Sequence, residues 1–190
     1  MPITTLDPRT ALIVIDLQEG VARRELAHPT ADVIASCVKL LGAFRSHELP
    51  VVIVTVEGVP SGRTDLSAAS GAAPSFPAGW ADPIAELDIQ PSDILVVKHA
   101  RSAFTNTGLD EKLHELGVTQ LVIVGIATSS GVESTARHGH EYGYSVTLPV
   151  DAMTDASPDA HQHSIATSFP RIAETGSTAE VLALLEAARA

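Results

Sequence analysis

LVIVGIATSSGVESTAR, residues 121–137, joins a strand pattern to a helix pattern through a short turn. Its aliphatic beginning, LVIV, is typical of a buried parallel strand. Gly125 and the turn follow, and the pattern after Gly131 predicts a helix. A strand, a tight turn and a helix N-terminus together direct backbone N–H groups toward a ligand and favour negative charge there. A catalytic nucleophile is expected at position 131, but the residue is glycine.

Outside this stretch, apolar runs alternate with helical patterns. The runs predicted as strands are Ala11–Ile15, Val51–Val56, Ile94–Val97, Thr119–Val124, Tyr144–Val150 and a short sixth at Pro170–Ala173. Helical periodicity covers Thr30–His47, a segment from about Asp110, the residues after Gly131 and the region around Val181–Leu185. This alternation predicts an α/β fold with three α-β-α layers and a six-stranded, mostly parallel, Rossmann-like sheet, in a single domain over residues 1–190.

Three of the predicted strands end at features suited to chemistry. Asp16 follows the first strand, Lys98 follows the third, and the turn before Gly131 follows the fourth. Taken alone, Asp16 is also explained as a helix cap or a loop carboxylate. Lys98 directly follows a buried run, so we expect it to have a carboxylate partner. Because ligands bind at the carboxyl ends of strands in open α/β sheets, the three ends are predicted to form one pocket.

Composition excludes several classes of partner. The formal net charge of −11 argues against nucleic acids and anionic membranes. No apolar run approaches the roughly 20 residues that span a bilayer. The N-terminal sequence MPITTLDPRT lacks the pattern of a signal peptide, so we expect a cytoplasmic protein. The single cysteine, Cys37, lies on the apolar stripe of a helix and is predicted to be a buried structural thiol.

Polar and aromatic residues near the strand ends leave alternatives open. The turn-rich segment Gly58–Pro83 is predicted to form a pocket wall or lid, and Trp80 either lines the pocket or packs in the core. Ser129 and Ser130 are predicted to cap the helix after the turn. The pairs His138/His140 and His161/His163 have no recognised metal spacing, and residues two apart on a helix point in different directions. We therefore predict surface histidines and no metal site.

Three motifs resemble a known family, the isochorismatase-like hydrolases, which include nicotinamidases and carbamoyl-amide hydrolases. They are VIDLQEG (14–20), VVKHARSAFTNTGLD (96–110) and GIATSSGVESTARHGHEYGYSVTLPVDAM (125–153). The resemblance runs from about Leu12 to Leu185. In that family an Asp after the first strand, a Lys after the third and a Cys at the helix start form a catalytic triad. Asp16 and Lys98 match the first two members, and Gly131 stands at the position of the nucleophile.

The resemblance implies further features of the site. A non-proline cis peptide is expected at Ile126–Ala127, with backbone N–H groups turned inward as an oxyanion hole. The positions expected to bind substrate are Ala127, Ser130, Glu57, Trp80 and Phe104. Nicotinamidases carry a metal-binding Asp-x-His after the second strand, where this chain has Glu57-Gly58-Val59, so no metal or other cofactor is expected. True isochorismatases also have Gly at the nucleophile position, but a Gln where Glu57 aligns. A homodimer or homotetramer is expected because the family commonly forms them.

Glycine at position 131 removes the route through a thiol. The remaining groups suit hydrolysis of a vinyl ether in a small polar metabolite, in which Asp16 protonates the vinyl carbon, water captures the cation and Lys98 tunes the acid. Asp16 must then hold a proton near neutral pH, which requires desolvation to outweigh the attraction of Lys98. The alternative is a non-catalytic ligand-binding or regulatory protein on a degenerate hydrolase scaffold.

Overall fold

A parallel sheet forms the centre of the protein in the computed structural model, which describes residues 3–58, 60, 62–65 and 76–187. Its strands are β1 (Thr10–Ile15), β2 (Val51–Val56), β3 (Ile94–Lys98), β4 (Gln120–Ile126), β5 (Ser145–Pro149), β6 (Met153–Thr154) and β7 (Glu174–Gly176). The spatial order is β3-β2-β1-β4-β5-β7, and the short β6 pairs with the end of β4. The named strand pairs are all parallel.

Helices cover both faces of the sheet. They are α1 (Glu19–Ala22), α2 (Thr30–Ser46), α3 (Leu109–Glu115), α4 (Glu133–Glu141), α5 (Pro158–His163) and α6 (Thr178–Ala187). α2 and α6 bury their apolar residues in one hydrophobic cluster with Leu12 and Val14, whereas α3 and α4 contribute to a second cluster with Ile13 and Ile15. Alternate residues of β1 thus enter different layers, as the pleat of a strand requires. The predicted three-layer α/β fold is confirmed.

The central strand β1 explains both the uniform apolar runs and the position of the site. All six of its residues are buried, because β2 and β4 flank it and helices cover both of its faces. The chain builds outward from β1 to β3 on one side and then returns to place β4 on the other side. The carboxyl ends of β1 and β4 therefore border a crevice of the kind in which α/β proteins bind ligands.

The prediction of a sixth strand at Pro170–Ala173 is wrong. Phe169–Arg171 forms a 3-10 turn, and the strand follows it at Glu174–Gly176, where Glu174 pairs with Thr147 of β5. Proline cannot donate a hydrogen bond to a strand ladder, which disfavours a strand beginning at Pro170. The three-residue β7 and two-residue β6 are too short to produce a recognisable alternation.

Gly125 allows β4 to lie close to β1 beside the crevice. It has a φ of +115°, and a Cβ atom added there would lie 2.1 Å from the backbone oxygen of Ile15. Both the left-handed φ and the contact with backbone exclude a side chain.

We expect Gly125→Ala to lower the free energy of unfolding by about 3 kcal/mol or more, because a positive φ and overpacking each cost an alanine roughly 1–3 kcal/mol. Gly42→Ala is the matched control, because Gly42 lies in α2 with open space around its Cβ position. There we expect a gain of up to about 1 kcal/mol from helix propensity. Urea denaturation of both variants measures the difference, and equal stabilities would contradict this role of Gly125.

Candidate active site

Asp16 and Lys98 form a buried ion pair at the carboxyl ends of β1 and β3. Nζ of Lys98 lies 2.8 Å from Oδ2 of Asp16 and also donates to the carbonyl oxygen of Ala100 at 3.2 Å. The side chains of Lys98 and Asp16 are 2% and 9% exposed. The carboxylate partner expected for Lys98 is therefore Asp16, and two of the three predicted strand ends meet in one site.

Asp16 is held in an unusual backbone conformation. Its φ is 50°, in the left-handed region that aspartate adopts more readily than most residues, while its N–H donates to the carbonyl oxygen of Val54 at 2.9 Å. This conformation directs the side chain away from the axis of β1 and toward Lys98. Its second carboxyl oxygen, Oδ1, is buried and has no hydrogen-bond partner among the described residues.

Burial controls the protonation of Asp16. It raises the pKa of this carboxyl group from 3.8 to about 6, because desolvation of the charged form outweighs the attraction and hydrogen bond of Lys98. The balance required for a general acid near neutral pH is therefore present in the fold.

Gly131 lies beside Asp16 in the turn after β4. The turn Thr128–Val132 is a single π-helical turn that leads into α4. A Cβ atom on Gly131 would lie 3.2 Å from Oδ2 of Asp16 and 2.8 Å from Cγ2 of Ile15. The third predicted strand end thus joins the other two, and any side chain at position 131 would require Ile15 to move.

The peptide bond Ile126–Ala127 is cis, as the resemblance implied. The carbonyl oxygen of Ala127 accepts the N–H groups of Ser130 at 3.0 Å and Val132 at 3.2 Å, so the turn closes on this residue. Among the turn and loop hydrogen bonds of the described residues, none is donated by the N–H of Ala127. The residue is partly buried and packs against the cluster that contains Val124 and Ile126.

Gln18, which was not among the predicted site residues, connects the end of β2 to a neighbouring loop. It is fully buried, and its amide oxygen accepts the N–H of Val56 at 2.7 Å. Its amide nitrogen donates to the carbonyl oxygens of Val56 and Trp80. One side chain therefore ties the end of β2 to the segment that carries Trp80.

The remaining predicted substrate contacts lie in different places. Trp80 packs on Gly20 and on Phe76, and Glu57 is exposed directly after β2. Phe104 is buried in a core cluster, where its ring is 5.4 Å from that of Tyr142. Much of the predicted pocket wall, namely residues 59, 61 and 66–75, lies outside the described residues.

The expectations for serine and histidine near the turn need correction. Ser129 is not a helix cap, because its N–H and hydroxyl both donate to Oδ2 of Asp155 at 2.8 Å. His161 is not a surface residue: it is buried, and its Nδ1 lies 2.8 Å from the hydroxyl of Thr128. Neither contact is visible in local sequence, because the partners are 26 and 33 residues apart.

An open cavity of about 340 Å³ lies between the segment after β3 and one face of α4, and its lining does not include Asp16, Lys98, Ala127 or Gly131. Its lining includes Arg101, Ser102, Ser134 and Arg137. A cavity of about 480 Å³ lies at the opposite end of the sheet, beside Gln120 and Ser145 at the beginnings of β4 and β5.

The described residues contain no cluster of three or more His, Cys, Asp or Glu side chains that could hold a metal ion. None of the helices described is long and apolar enough to cross a bilayer.

We expect Lys98→Met to reduce stability in a pH-dependent way. In the wild-type protein the raised pKa of Asp16 makes the folded state retain a proton between about pH 4 and pH 6, so this contribution decreases as the pH rises through that range. Without Lys98 the pKa rises further and the decrease extends to higher pH. The loss in free energy of unfolding should be about 3 kcal/mol or more at pH 8 and smaller at pH 5.

Urea denaturation at the two pH values measures this difference. Lys39→Met, at an exposed position of α2, is the matched control and should change stability little at either pH. Equal losses for Lys98→Met at pH 5 and pH 8 would show that Asp16 does not respond to Lys98.

Comparisons with known proteins agree with this geometry. A model of the isochorismatase domain matches residues 10–180. The isochorismatase family protein YecD of Escherichia coli is 38% identical over 178 residues, covering 91% of this chain and 94% of that protein. The ureidoacrylate amidohydrolase RutB of Stutzerimonas stutzeri is 33% identical over 190 residues, covering 86% of this chain and 77% of that protein.

A solved structure gives the same result at the level of the fold. An isochorismatase family protein from Burkholderia thailandensis matches with a TM-score of 0.90 and 36% identity, over 96% of this chain and 98% of that chain. The resemblance found in the three motifs is thus confirmed over nearly the whole chain. The protein belongs to the isochorismatase family, which is a family of hydrolases.

Proposed function

We propose that the protein hydrolyses a small polar metabolite by acid–base chemistry that needs no thiol, with Asp16 as the general acid. The observation that carries the proposal is the asymmetry of the Asp16 carboxyl group. Oδ2 accepts a hydrogen bond from Lys98, whereas the buried Oδ1 has no partner among the described residues. When Asp16 is protonated, the proton therefore resides on Oδ1, an oxygen that no described protein group engages.

The pKa of about 6 suits this role. A general acid works best when its pKa is near the operating pH, because it is then protonated often enough and still acidic enough to transfer the proton. Lys98 remains next to the carboxylate after the proton leaves and stabilises its negative charge. Lys98 thus limits the rise in pKa that burial alone would cause.

The reaction that fits best is hydrolysis of a vinyl ether. Asp16 transfers the proton on Oδ1 to the terminal vinyl carbon, the carbon–carbon double bond becomes a single bond, and the adjacent carbon becomes an oxocarbenium ion. Water adds to that carbon and returns a proton to Asp16. The resulting hemiketal breaks its carbon–oxygen bond to give a ketone and an alcohol. The overall reaction consumes one water molecule and leaves Asp16 unchanged.

The turn after β4 supplies the second half of the proposed site. The N–H of Ala127, which none of the described turn and loop hydrogen bonds uses, would donate to a substrate oxygen, and the absence of a side chain at Gly131 would let substrate approach Asp16. Ser130, Glu57 and Trp80 stay in the proposal as substrate contacts at the rim. Phe104, which packs against Tyr142 and Tyr144, would support the segment after Lys98 from within the core.

A thiol mechanism has no candidate residue in this chain. RutB is named as an amidohydrolase, but the position of the family's nucleophile is Gly131 here. The single cysteine, Cys37, is fully buried in α2 and donates to the carbonyl oxygen of Ala152 at 3.3 Å. Burial raises the pKa of its thiol, so it is a structural thiol as predicted. The homo-oligomeric state and the cytoplasmic location stay predictions.

With isochorismate as the vinyl ether, we expect Asp16→Asn to lower kcat by about 100-fold or more, because general acid catalysis commonly contributes that much. In the wild-type enzyme kcat/KM should be constant below about pH 6 and fall tenfold per pH unit above it, as Asp16 loses its proton. Steady-state kinetics from pH 4.5 to pH 8.5 measure both. Asp159→Asn, at an exposed position of α5, should match the wild type.

The same experiment decides against the proposal if Asp16→Asn turns over isochorismate at the wild-type rate. The substrate panel should also include amides such as ureidoacrylate and simple esters. If wild-type protein leaves the whole panel unchanged, yet a panel compound raises its melting temperature and is recovered chemically intact, the non-catalytic alternative is correct.

Removal of the only cysteine should leave activity intact. We expect Cys37→Ala to keep kcat within about twofold of the wild type, because Cys37 lies in the core cluster with α2 and not beside Asp16. Iodoacetamide should likewise not inactivate the folded wild-type enzyme, because a buried thiol with a raised pKa is unreactive. Rapid inactivation of wild type but not of Cys37→Ala would refute a thiol-independent mechanism.

A further inference from the structure

A polar cluster, buried except for the exposed His28, lies beside the turn Thr128–Val132. It consists of Asp155, His161, His28 and Thr154, and it contacts the turn on the residues that precede Gly131. We propose that Asp155 is a positioning residue for the reaction, which fixes the turn that presents Ala127 and Gly131 to Asp16. The proposal rests on the function proposed above for that turn.

Asp155 directs its strongest hydrogen bonds to the turn. Its Oδ2 accepts both the N–H and the hydroxyl of Ser129 at 2.8 Å, and its Oδ1 accepts the N–H of Ser157 at 3.3 Å. The backbone carbonyl of Asp155 accepts the N–H of Ala27 at 2.8 Å, so the residue is itself fixed from the opposite side. The residue is buried, and a buried carboxylate needs such donors to remain stable.

The bonds to Ser129 determine the orientation of the donors around the site. Because Asp155 takes the N–H of Ser129, the peptide plane between Thr128 and Ser129 is fixed. The next N–H groups, of Ser130 and Val132, then bind the carbonyl oxygen of Ala127. Rotation at Ser129 would break these bonds and move Ala127. Asp155 thereby acts through the backbone of the turn and does not contact the substrate itself.

A second set of contacts holds the beginning of the same turn. The hydroxyl of Thr128 is 2.8 Å from Nδ1 of His161, and the His161 ring is 4.5 Å from the ring of His28. Nδ1 of His28 is 3.0 Å from the hydroxyl of Thr154, which pairs with Ile126 in the sheet. The turn is therefore held at Thr128 and at Ser129 by neighbouring elements.

The local needs of Asp155's own segment do not explain its contacts. β6 ends at Thr154, and α5 is capped by Ser157, whose hydroxyl accepts the N–H of Ala160 at 3.2 Å. A purely structural role in this segment would be served by the bond to Ser157 alone. The two shorter bonds to Ser129 instead connect the segment to the turn beside Gly131.

The test compares Asp155→Ala with Ser157→Ala, which removes the cap of α5 but leaves the bonds to Ser129 in place. Both should lower the urea midpoint. With isochorismate, only Asp155→Ala should lower kcat, by about tenfold or more, with KM changed far less, because a displaced turn weakens stabilisation of the transition state. Asp155→Asn should restore most of kcat, because its amide oxygen can still accept both groups of Ser129.

Hydrogen exchange at the Ser130 and Val132 amides gives a readout that does not require turnover. We expect exchange about tenfold faster in Asp155→Ala and unchanged in Ser157→Ala. Asp155→Ser, whose hydroxyl is too short to bridge to Ser129, replaces Asp155→Ala if that variant does not fold. Wild-type exchange rates in the Asp155 variant overturn the proposal whether or not the wild-type protein hydrolyses isochorismate. An unchanged kcat in an active enzyme also overturns it.

Discussion

The buried pair of Asp16 and Lys98 is the interaction on which the site depends. β2 separates the two strands that carry these residues, so the pair spans two strand spacings, about 10 Å at the usual separation. The long lysine side chain covers most of that distance, and the left-handed conformation of Asp16 covers the rest. Burial of the pair has two effects. It makes a positive partner necessary for the charged carboxylate, which Lys98 supplies, and the same desolvation raises the pKa of Asp16.

Two glycines allow β4 and its turn to approach this pair. A side chain at Gly125 would meet the backbone of Ile15, and one at Gly131 would meet the side chain of Ile15 and Oδ2 of Asp16. In the direction of Ile15 and Oδ2 of Asp16, a side chain at position 131 thus has room only if Ile15 moves.

The other buried polar groups around the crevice are satisfied by hydrogen bonds, as is normal in folded proteins. Gln18 binds the end of β2, Asp155 binds Ser129, and His161 binds Thr128. In the described part of the chain, Oδ1 of Asp16 is the one buried side-chain oxygen or nitrogen without a partner. Such an exception amid satisfied neighbours is a mark of a reacting group, and it coincides with the carboxyl group whose pKa is raised.

The sequence alone determined the parts of this protein that depend on local pattern. Continuous apolar runs predicted the parallel strands, and the predicted bounds of Val51–Val56 are those observed. Because Asp16 and Lys98 each stand at the end of such a run, the sequence also predicted that both lie at the same edge of the sheet, where they form an ion pair. Tertiary structure alone decided which distant groups support the turn. Gln18 meets Val56 and His161 meets Thr128 across more than thirty residues of chain, so no local period records these contacts. The protonation of Asp16 was likewise decided by the fold, because it depends on a balance between burial and one charge that only the folded distances set.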